Sequence, residues 1–340
     1  MPQAIGIFIT RIFGGNILVQ IYAARITNLI VYILFTYFAI KKIPFKKFAI
    51  FMITFLPITI QEAASLSPDA LTNAICIFFV AYILELMYSK EKISRKDMIC
   101  LGVTSVIVSL VKIIYLPLCA LVFLIPNEKF NSKNEKINSK KMKYIVLITI
   151  FMLSVVLNLG WLKYANSHYR QAYEGANPKE QIAFVLQDPY RYLTTCFRDV
   201  HLRLDYYVQG LLGNDLSHLD IDMSRIMQLP LFILVIFSFI CDENENIKPN
   251  WKIKAYFGII ILAVIALLYT SEYISWNTVG NFWVNGVQPR YYIPLLLMLA
   301  VVCHMNSLKL EKKLNYKYIY MLTIAINIHA IISMLNLYMK

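Results

Sequence analysis

The stretch ALTNAICIFFVAYILELM, residues 70–87, decides the fold because it carries a single charged side chain, Glu85, within a long apolar run. A helix of about 20 residues crosses the hydrocarbon core of a bilayer, which is roughly 30 Å thick. The connector that follows is basic, with four lysines and arginines between Lys90 and Lys96. In lipid, every backbone amide must be paired within its own segment, so this run is predicted to form a transmembrane helix.

The composition of the whole chain extends that prediction. Hydrophobic residues make up 59% of the 340 residues and charged residues only 16%, whereas a soluble globular chain is about half apolar and about a quarter charged. The apolar residues come in long blocks, without the short alternating segments of a membrane barrel. We therefore predict an all-α fold, a polytopic transmembrane helical bundle.

The net charge of +13 would suggest nucleic acid as a partner of a soluble protein. Here, however, the lysines and arginines gather in short connectors between the apolar blocks, for example at 41–47 and 129–143. That distribution is the positive-inside pattern, in which basic connectors face the cytoplasm. We therefore predict the lipid bilayer as a partner, no nucleic acid, and a multi-pass location in the cell membrane.

Basic connectors alternate with connectors that carry few basic residues. This order predicts the direction of each membrane segment and an extracytoplasmic C-terminus. Residues 98–125 are long for one helix and basic on both flanks, so we predict a hairpin of two short helices bent near Lys112–Pro117. With the hairpin counted as two, about ten membrane segments form a single integral membrane domain over residues 1–340. The other predicted segments are 19–40, 48–64, 70–87, 144–162, 225–240, 255–270, 291–305 and 318–338.

Residues 163–225 contain no membrane-spanning block and are predicted to form an extracytoplasmic helical loop. Asn177-Pro178 and Asp188-Pro189 are both typical of helix starts, since an Asn or Asp cap precedes a proline at the first helical position. We predict amphipathic helices at 178–187 and 189–204 that lie at the membrane surface. Five aromatic residues fit an interfacial belt: Tyr190, Tyr192, Phe197, Tyr206 and Tyr207.

Polar groups inside or at the edge of a membrane are costly, so each one requires a reason. In Ser67-Pro68-Asp69, the acid sits at the positive end of a helix dipole. The motif is either a well-capped helix start or a site where the Asp69 carboxylate faces a substrate. Glu62 lies one bend away. Two neighbouring carboxylates can divide acid and base roles or hold a divalent cation, so both are candidate catalytic residues.

Two cations are predicted on the same side as Asp69. Lys112 is surrounded by apolar residues, and it either snorkels to the interface or holds a phosphate. Arg290 stands where a helix begins, and it is either an interfacial anchor or a bidentate phosphate ligand. Arg25 and Asn28 share one helix face by their spacing and are predicted to line a polar cleft.

Several motifs are missing from the chain. It has no C-x-x-C pair and no histidines at ligand spacing, so neither a zinc site nor a disulfide framework is indicated. Walker, HExxH, G-x-S-x-G and dinucleotide-binding motifs are also absent.

Five stretches, in chain order, nevertheless form a pattern that resembles a bacterial family of multi-pass membrane proteins, the domain of unknown function 2142. The stretches are PQAIG at 2–6, ARITNL at 24–29, AASLSPDAL at 63–71, KIIYLP at 112–117 and GVQPRYYIP at 286–294.

The family looks like the membrane glycosyltransferases of GT-C architecture, which implies a polyprenyl-phosphate-linked sugar as donor, a cell-envelope glycan as acceptor and extracytoplasmic chemistry in a bacterial plasma membrane. For that reaction we predict Asp69 and Glu62 as catalytic residues and leave a divalent cation open as cofactor. We predict that five residues bind the lipid phosphate: Lys112, Arg290, Gln288, Tyr115 and Arg25.

Two departures from the family pattern bear on these expectations. Pro289 stands where relatives usually have glycine before the arginine. Relatives also usually begin earlier, with a membrane helix and a loop that holds an acidic base, so we expect this chain to be N-terminally truncated. A transporter or flippase, or a non-catalytic remnant or partner subunit, therefore stays open as an alternative function.

Overall fold

A computed structural model describes residues 2–130, 139–168, 175–216, 221–241, 247–305 and 316–339. Within these ranges the chain forms helices and connections, with one isolated bridge between Leu216 and Ile221. The all-α prediction is therefore confirmed. The α-helices of the described part are α1 (Pro2–Ile12), α2 (Ile17–Lys42), α3 (Lys47–Thr54), α4 (Pro57–Ala63), α5 (Asp69–Tyr88), α6 (Arg95–Val111), α7 (Ser139–His168), α8 (Pro178–Gln187), α9 (Pro189–Leu211), α10 (Arg225–Ile240), α11 (Trp251–Ser275), α12 (Ile293–Val302) and α13 (Tyr316–Tyr338).

Five helices among the described residues are long and apolar enough to cross a membrane. They are α2, α5, α11 and parts of α7 and α13. Helix α10 and two other apolar helical stretches, Ile113–Leu124 and Pro289–Val302, are shorter. The chain is thus a multi-pass helical membrane protein, while the number of about ten segments stays a prediction.

Two predicted helix boundaries agree with the structure residue for residue, those of α8 and α10. Helix α9 begins as predicted but continues to Leu211, beyond residue 204. The block 48–64 is broken into α3 and α4, because Pro57 has no N–H group and holds Leu56 in an extended conformation. The break turns α4 and directs Glu62 toward the start of α5.

The hairpin at 98–125 is formed by α6 and a 3-10 helix, Ile113–Leu124, which pack against each other. The bend is confined to Lys112, whose backbone is extended with φ −163° and ψ 121°. Pro117 lies inside the 3-10 helix and does not take part in the bend. Lys112 is therefore presented at the tip of the hairpin.

Helix α5 is the centre of the bundle. In its most apolar 18-residue window, 89% of the residues are buried, whereas the corresponding share is at most 28% in the other four candidate spans. Those four helices expose much of their apolar surface, which is the surface that lipid would cover. Asp69, the first residue of α5, is consequently held at the middle of one end of the bundle.

The two ends of the bundle differ in charge. At one end, Lys42 pairs with Glu85 at 2.8 Å. At the same end, the Lys46 Nζ donates to the carbonyl oxygens of Phe239 at 2.6 Å and Cys241 at 2.8 Å, which close the C-terminus of α10. Helix α5 begins at the opposite end, where α6 also finishes. The basic residues Lys42 and Lys46 and the predicted site residues thus occupy opposite ends of the described bundle.

Candidate functional site

Helix α2 shapes the bend that connects α4 to α5. The Arg25 Nε donates to the carbonyl oxygen of Ala64 at 2.7 Å. The Asn28 Nδ2 donates to the carbonyl oxygens of Ser65 at 3.0 Å and Ser67 at 3.1 Å. These bonds satisfy backbone groups that a turn leaves without partners, so Arg25 and Asn28 fix the conformation on which Glu62 and Asp69 depend.

Arg290 joins the two predicted catalytic carboxylates. Its Nη1 lies 3.2 Å from the Glu62 Oε1, and its Nε lies 2.9 Å from the Asp69 Oδ2. The Lys112 Nζ lies 4.0 Å from the other Asp69 oxygen, Oδ1. Only 6% of the Glu62 side chain and 12% of the Asp69 side chain are exposed. Four residues that the sequence placed on one side of the membrane therefore form a single ion cluster.

Tyr291 positions both cations of this cluster. The Lys112 Nζ lies 3.3 Å from the centroid of the Tyr291 ring, a cation–π contact. The hydroxyl of buried Tyr115 donates to the Tyr291 carbonyl oxygen at 2.8 Å and so fixes the backbone next to Arg290. Burial lowers the pKa of Lys112, which lies between helices, and the Asp69 carboxylate opposes that shift. The Lys112 ammonium group thus lies between the face of the Tyr291 ring and the Asp69 carboxylate.

Glu272, near the C-terminus of α11, is a buried carboxylate that the sequence analysis missed. It attracts Lys112 electrostatically. The backbone of Gly286 packs against it, because a Cβ atom at that position would lie 2.6 Å from the Glu272 Oε2. The signal was present in the sequence, since Glu272 is the single acid of a long and mostly apolar helix and such a residue requires a reason.

Two further predicted phosphate ligands lie beside the cluster. The Gln288 Oε1 is buried and has no hydrogen-bond partner among the described residues, so it can accept a bond from a bound molecule. Arg25 is on the bend and stacks near the Tyr22 ring, at 5.6 Å from its centroid. A contact of either residue with phosphate stays a prediction.

A second polar cluster connects α9 to the site. Asp199 has no solvent exposure. Its Oδ2 accepts hydrogen bonds from the hydroxyl groups of Tyr207 at 2.7 Å and Tyr269 at 3.2 Å, and its Oδ1 pairs with Arg203 at 3.1 Å. The Tyr292 hydroxyl donates to Tyr269 at 3.3 Å. This cluster attaches the helix α9 to the turn that carries Arg290.

The predicted aromatic belt is only partly at the surface. Tyr190 and Phe197 are 78% and 74% exposed, as an interfacial position requires. Tyr207, by contrast, is buried against Asp199, and the Tyr192 hydroxyl bonds to Thr270 at 2.6 Å. The exposed face of α9 is therefore the one with Tyr190 and Phe197, and the tyrosines on its other face hold it to α11.

The site combines two cations with three carboxylates. Arg290 and Lys112 suit a phosphate group, since a guanidinium gives bidentate bonds and an ammonium group a compact charge. A carboxylate can accept the proton of an attacking hydroxyl group. Within the described part of the chain, no group of three or more His, Cys, Asp or Glu side chains could hold a metal ion.

One comparison with known proteins gives a match. The model of a family described as "Predicted membrane protein (DUF2142)" matches residues 1–299. No curated protein matches the chain. No solved structure matches it either.

Proposed function

The chain belongs to the DUF2142 family of predicted membrane proteins, and we propose that it transfers a sugar from a polyprenyl-phosphate donor to a cell-envelope glycan or glycolipid. The transfer would take place on the extracytoplasmic side of the membrane. The family description names no activity, so this proposal rests on the side chains of the site and on the motifs that resemble GT-C enzymes.

The observation that carries the proposal is the convergence of Glu62, Asp69, Lys112 and Arg290 at one end of the bundle. The contacts join residues as much as 228 positions apart in the chain. Ionisable groups buried in a membrane protein are expensive to keep, and a cluster of them favours a functional site over separate helix caps and anchors. Lys42 and Lys46 of the first basic connector lie at the opposite end, which supports an extracytoplasmic position for the cluster.

Each group has a chemical task in this proposal. Arg290 and Lys112 bind the phosphate of the donor, and their charges stabilise it as it leaves. The acceptor hydroxyl attacks the anomeric carbon, the bond from that carbon to the phosphate oxygen breaks, and polyprenyl phosphate departs with the electron pair. A carboxylate takes the hydroxyl proton. Glu62 and Asp69 are the candidates from the sequence, and Glu272 is a third.

Glu272 has one advantage as the proton acceptor. Arg290 occupies one oxygen of Glu62 at 3.2 Å and one oxygen of Asp69 at 2.9 Å, so both carboxylates are already engaged with a cation. No ion pair within 4.0 Å joins Glu272 to a described lysine, arginine or histidine, although Lys112 attracts it at longer range. We therefore assign orientation of the cations to Asp69 and Glu62, and proton acceptance to Glu272.

The experiment is a transfer assay with the purified full-length protein in proteoliposomes that contain a radiolabelled polyprenyl-phosphate sugar and a panel of envelope glycans. We expect loss of the donor and label in a glycan or glycolipid. Arg290→Met should abolish this turnover, because it removes the guanidinium, leaves Glu62 without its ion-pair partner and leaves Asp69 with Lys112 alone. Glu272→Gln should reduce turnover while binding of the donor is retained.

The matched control is Lys42→Met, which also breaks a Lys/Arg–carboxylate pair but at the opposite end of the bundle. Turnover by that variant should equal turnover by the unmodified chain. If Arg290→Met turns over the donor as fast as the unmodified chain, Arg290 is not part of the site. If no donor is consumed by any variant while the proteins remain folded, the non-catalytic alternative replaces the proposal.

One observation favours a second candidate, a cation-coupled transporter. Three carboxylates, Glu62, Asp69 and Glu272, outnumber the two cations, and such acidic groups at membrane depth also serve as proton or cation sites. A transporter would carry solute across sealed liposomes without consuming a lipid-linked sugar. Flux that depends on Glu272 in the absence of sugar transfer would select this candidate.

A further inference from the structure

A cleft between α9 and α10 lies outside the ion cluster. Its volume is about 310 Å³, which is at the lower end of the range of about 300–1,000 Å³ for small-molecule sites. The C-terminal part of α9 forms one wall and the N-terminal half of α10 forms the other. The residues that line it are Val208, Gln209, Leu212, Arg225, Gln228, Leu229 and Phe232.

The polar floor of the cleft is already committed to internal bonds. The Gln228 Nε2 donates to the Met223 carbonyl oxygen at 3.0 Å and also to the Asn214 side chain. The Asn214 Nδ2 donates to the Gln209 Oε1 at 3.1 Å. These bonds hold the C-terminal end of α9 and the start of α10 at a fixed separation, so the cleft is a fixed part of the fold.

Arg225 is the charged group of the cleft. It forms no ion pair with an acidic residue of the described ranges. It also stands in the first turn of α10, where the helix dipole disfavours a cation. An arginine in that position is not explained by helix stability, and its guanidinium suits an anionic group at the mouth of the cleft.

The remaining walls are apolar and continue onto the outer face of α10. Leu229 is 62% exposed, and its neighbours Ile226 and Ile233 are exposed on the same helix. In a membrane protein such a face is in contact with acyl chains. A molecule that occupies this cleft therefore has an anionic head at Arg225 and an apolar chain along Leu229 and Phe232.

We propose that the cleft between α9 and α10 binds an anionic glycerophospholipid of the leaflet that surrounds the ion cluster, with its phosphate on Arg225 and one acyl chain against Phe232. Charge complementarity at Arg225 and continuity with the lipid-facing side of α10 select this occupant. The site is separate from the proposed sugar transfer and does not depend on it.

The test is native mass spectrometry of the full-length protein in neutral detergent, titrated with phosphatidylglycerol or with phosphatidylcholine of the same acyl chains. The unmodified chain should retain phosphatidylglycerol at one site with higher affinity than phosphatidylcholine. In Arg225→Gln the affinity for phosphatidylglycerol should fall about tenfold, as expected for one lost charge-assisted bond. Affinity for phosphatidylcholine should fall less, because its choline cation already offsets the phosphate charge that Arg225 attracts.

Three further variants separate the parts of the site. Arg225→Lys keeps the charge and should keep the preference for phosphatidylglycerol. Phe232→Ala should weaken the binding of both lipids, because it removes a wall of the chain-binding part. Arg198→Gln, at an exposed arginine of α9 outside the cleft, is the matched control and should bind as the unmodified chain does.

Two results would overturn the proposal. One is an Arg225→Gln variant that elutes normally on size exclusion and still prefers phosphatidylglycerol as strongly as the unmodified chain. The other is displacement of the retained lipid by inorganic phosphate alone, since that outcome would identify a site for soluble anions.

Discussion

The contact between Arg290 and Asp69 offers the sharpest energetic test of the ion cluster. The perturbation is a double-mutant cycle of Arg290→Met and Asp69→Asn. The Nε–Oδ2 distance is 2.9 Å, and the two side chains are 30% and 12% exposed. The pair therefore lies between the exposed case, in which an ion pair contributes at most about 1 kcal/mol, and the buried case, in which loss of one partner costs about 3–5 kcal/mol.

From these limits we expect Arg290→Met to lower the free energy of unfolding by about 3 kcal/mol, because Glu62 also loses its partner. Asp69→Asn alone should cost about 2 kcal/mol, since Arg290 keeps Glu62. The double variant should be less destabilised than the sum of the two by about 1–2 kcal/mol, which is the coupling energy of the pair.

The assay is reversible unfolding in mixed micelles of SDS and a mild detergent, followed by tryptophan fluorescence. The control cycle is Lys42→Met with Glu85→Gln, a pair at 2.8 Å whose side chains are 33% and 31% exposed. Its coupling energy should stay below about 1 kcal/mol. If the Arg290–Asp69 cycle gives no more coupling than this control, the cluster is not the tightly coupled unit described above.

Gly286→Ala should destabilise the protein by about 2 kcal/mol or more, because the backbone has φ +96° and a Cβ atom would collide with the buried Glu272 carboxylate. Thermal unfolding measures this loss. Gly258→Ala should show no such loss, because a Cβ atom there meets open space. Tyr291→Leu removes the aromatic face over Lys112 and should weaken donor binding about fivefold or more, as measured by equilibrium binding of the labelled lipid. The loss in Tyr291→Phe, which keeps the aromatic face, should be smaller. Asp199→Asn should increase proteolysis of the α9 region. It removes the charge that pairs with Arg203 and replaces one of two buried acceptor oxygens by an NH2 donor. Unchanged proteolysis would mean that this cluster does not hold α9.

Helix boundaries could be predicted where a capping residue and a proline mark the first turn. The Asn177-Pro178 and Asp188-Pro189 pairs start α8 and α9 as expected, with the Asn177 and Asp188 side chains accepting bonds from the backbone of the first turn. The grouping of the site was also predictable. Lysines and arginines are concentrated in every second connector, and this distribution predicts on which side of the membrane each helix end lies.

Other features depend on packing, which a single sequence does not display. Both faces of α9 carry tyrosines, so composition could not tell that Tyr207 is buried on Asp199 while Tyr190 faces outward. Glu272 was overlooked because its apolar block was ended at Thr270, whereas α11 continues to Ser275. Helix ends are the least certain part of such a prediction, and the missed residue lies there.

The claim that the ion cluster faces the extracytoplasmic side can be tested by labelling single cysteines in an otherwise cysteine-free chain. Asn285 is exposed next to Gly286 at the site end, and Lys90 is exposed in a basic connector at the other end. In intact cells, a membrane-impermeant maleimide should label Asn285→Cys, and it should label Lys90→Cys only after the membrane is permeabilised. Labelling of Lys90→Cys in intact cells with protection of Asn285→Cys would place the site in the cytoplasm and contradict the account.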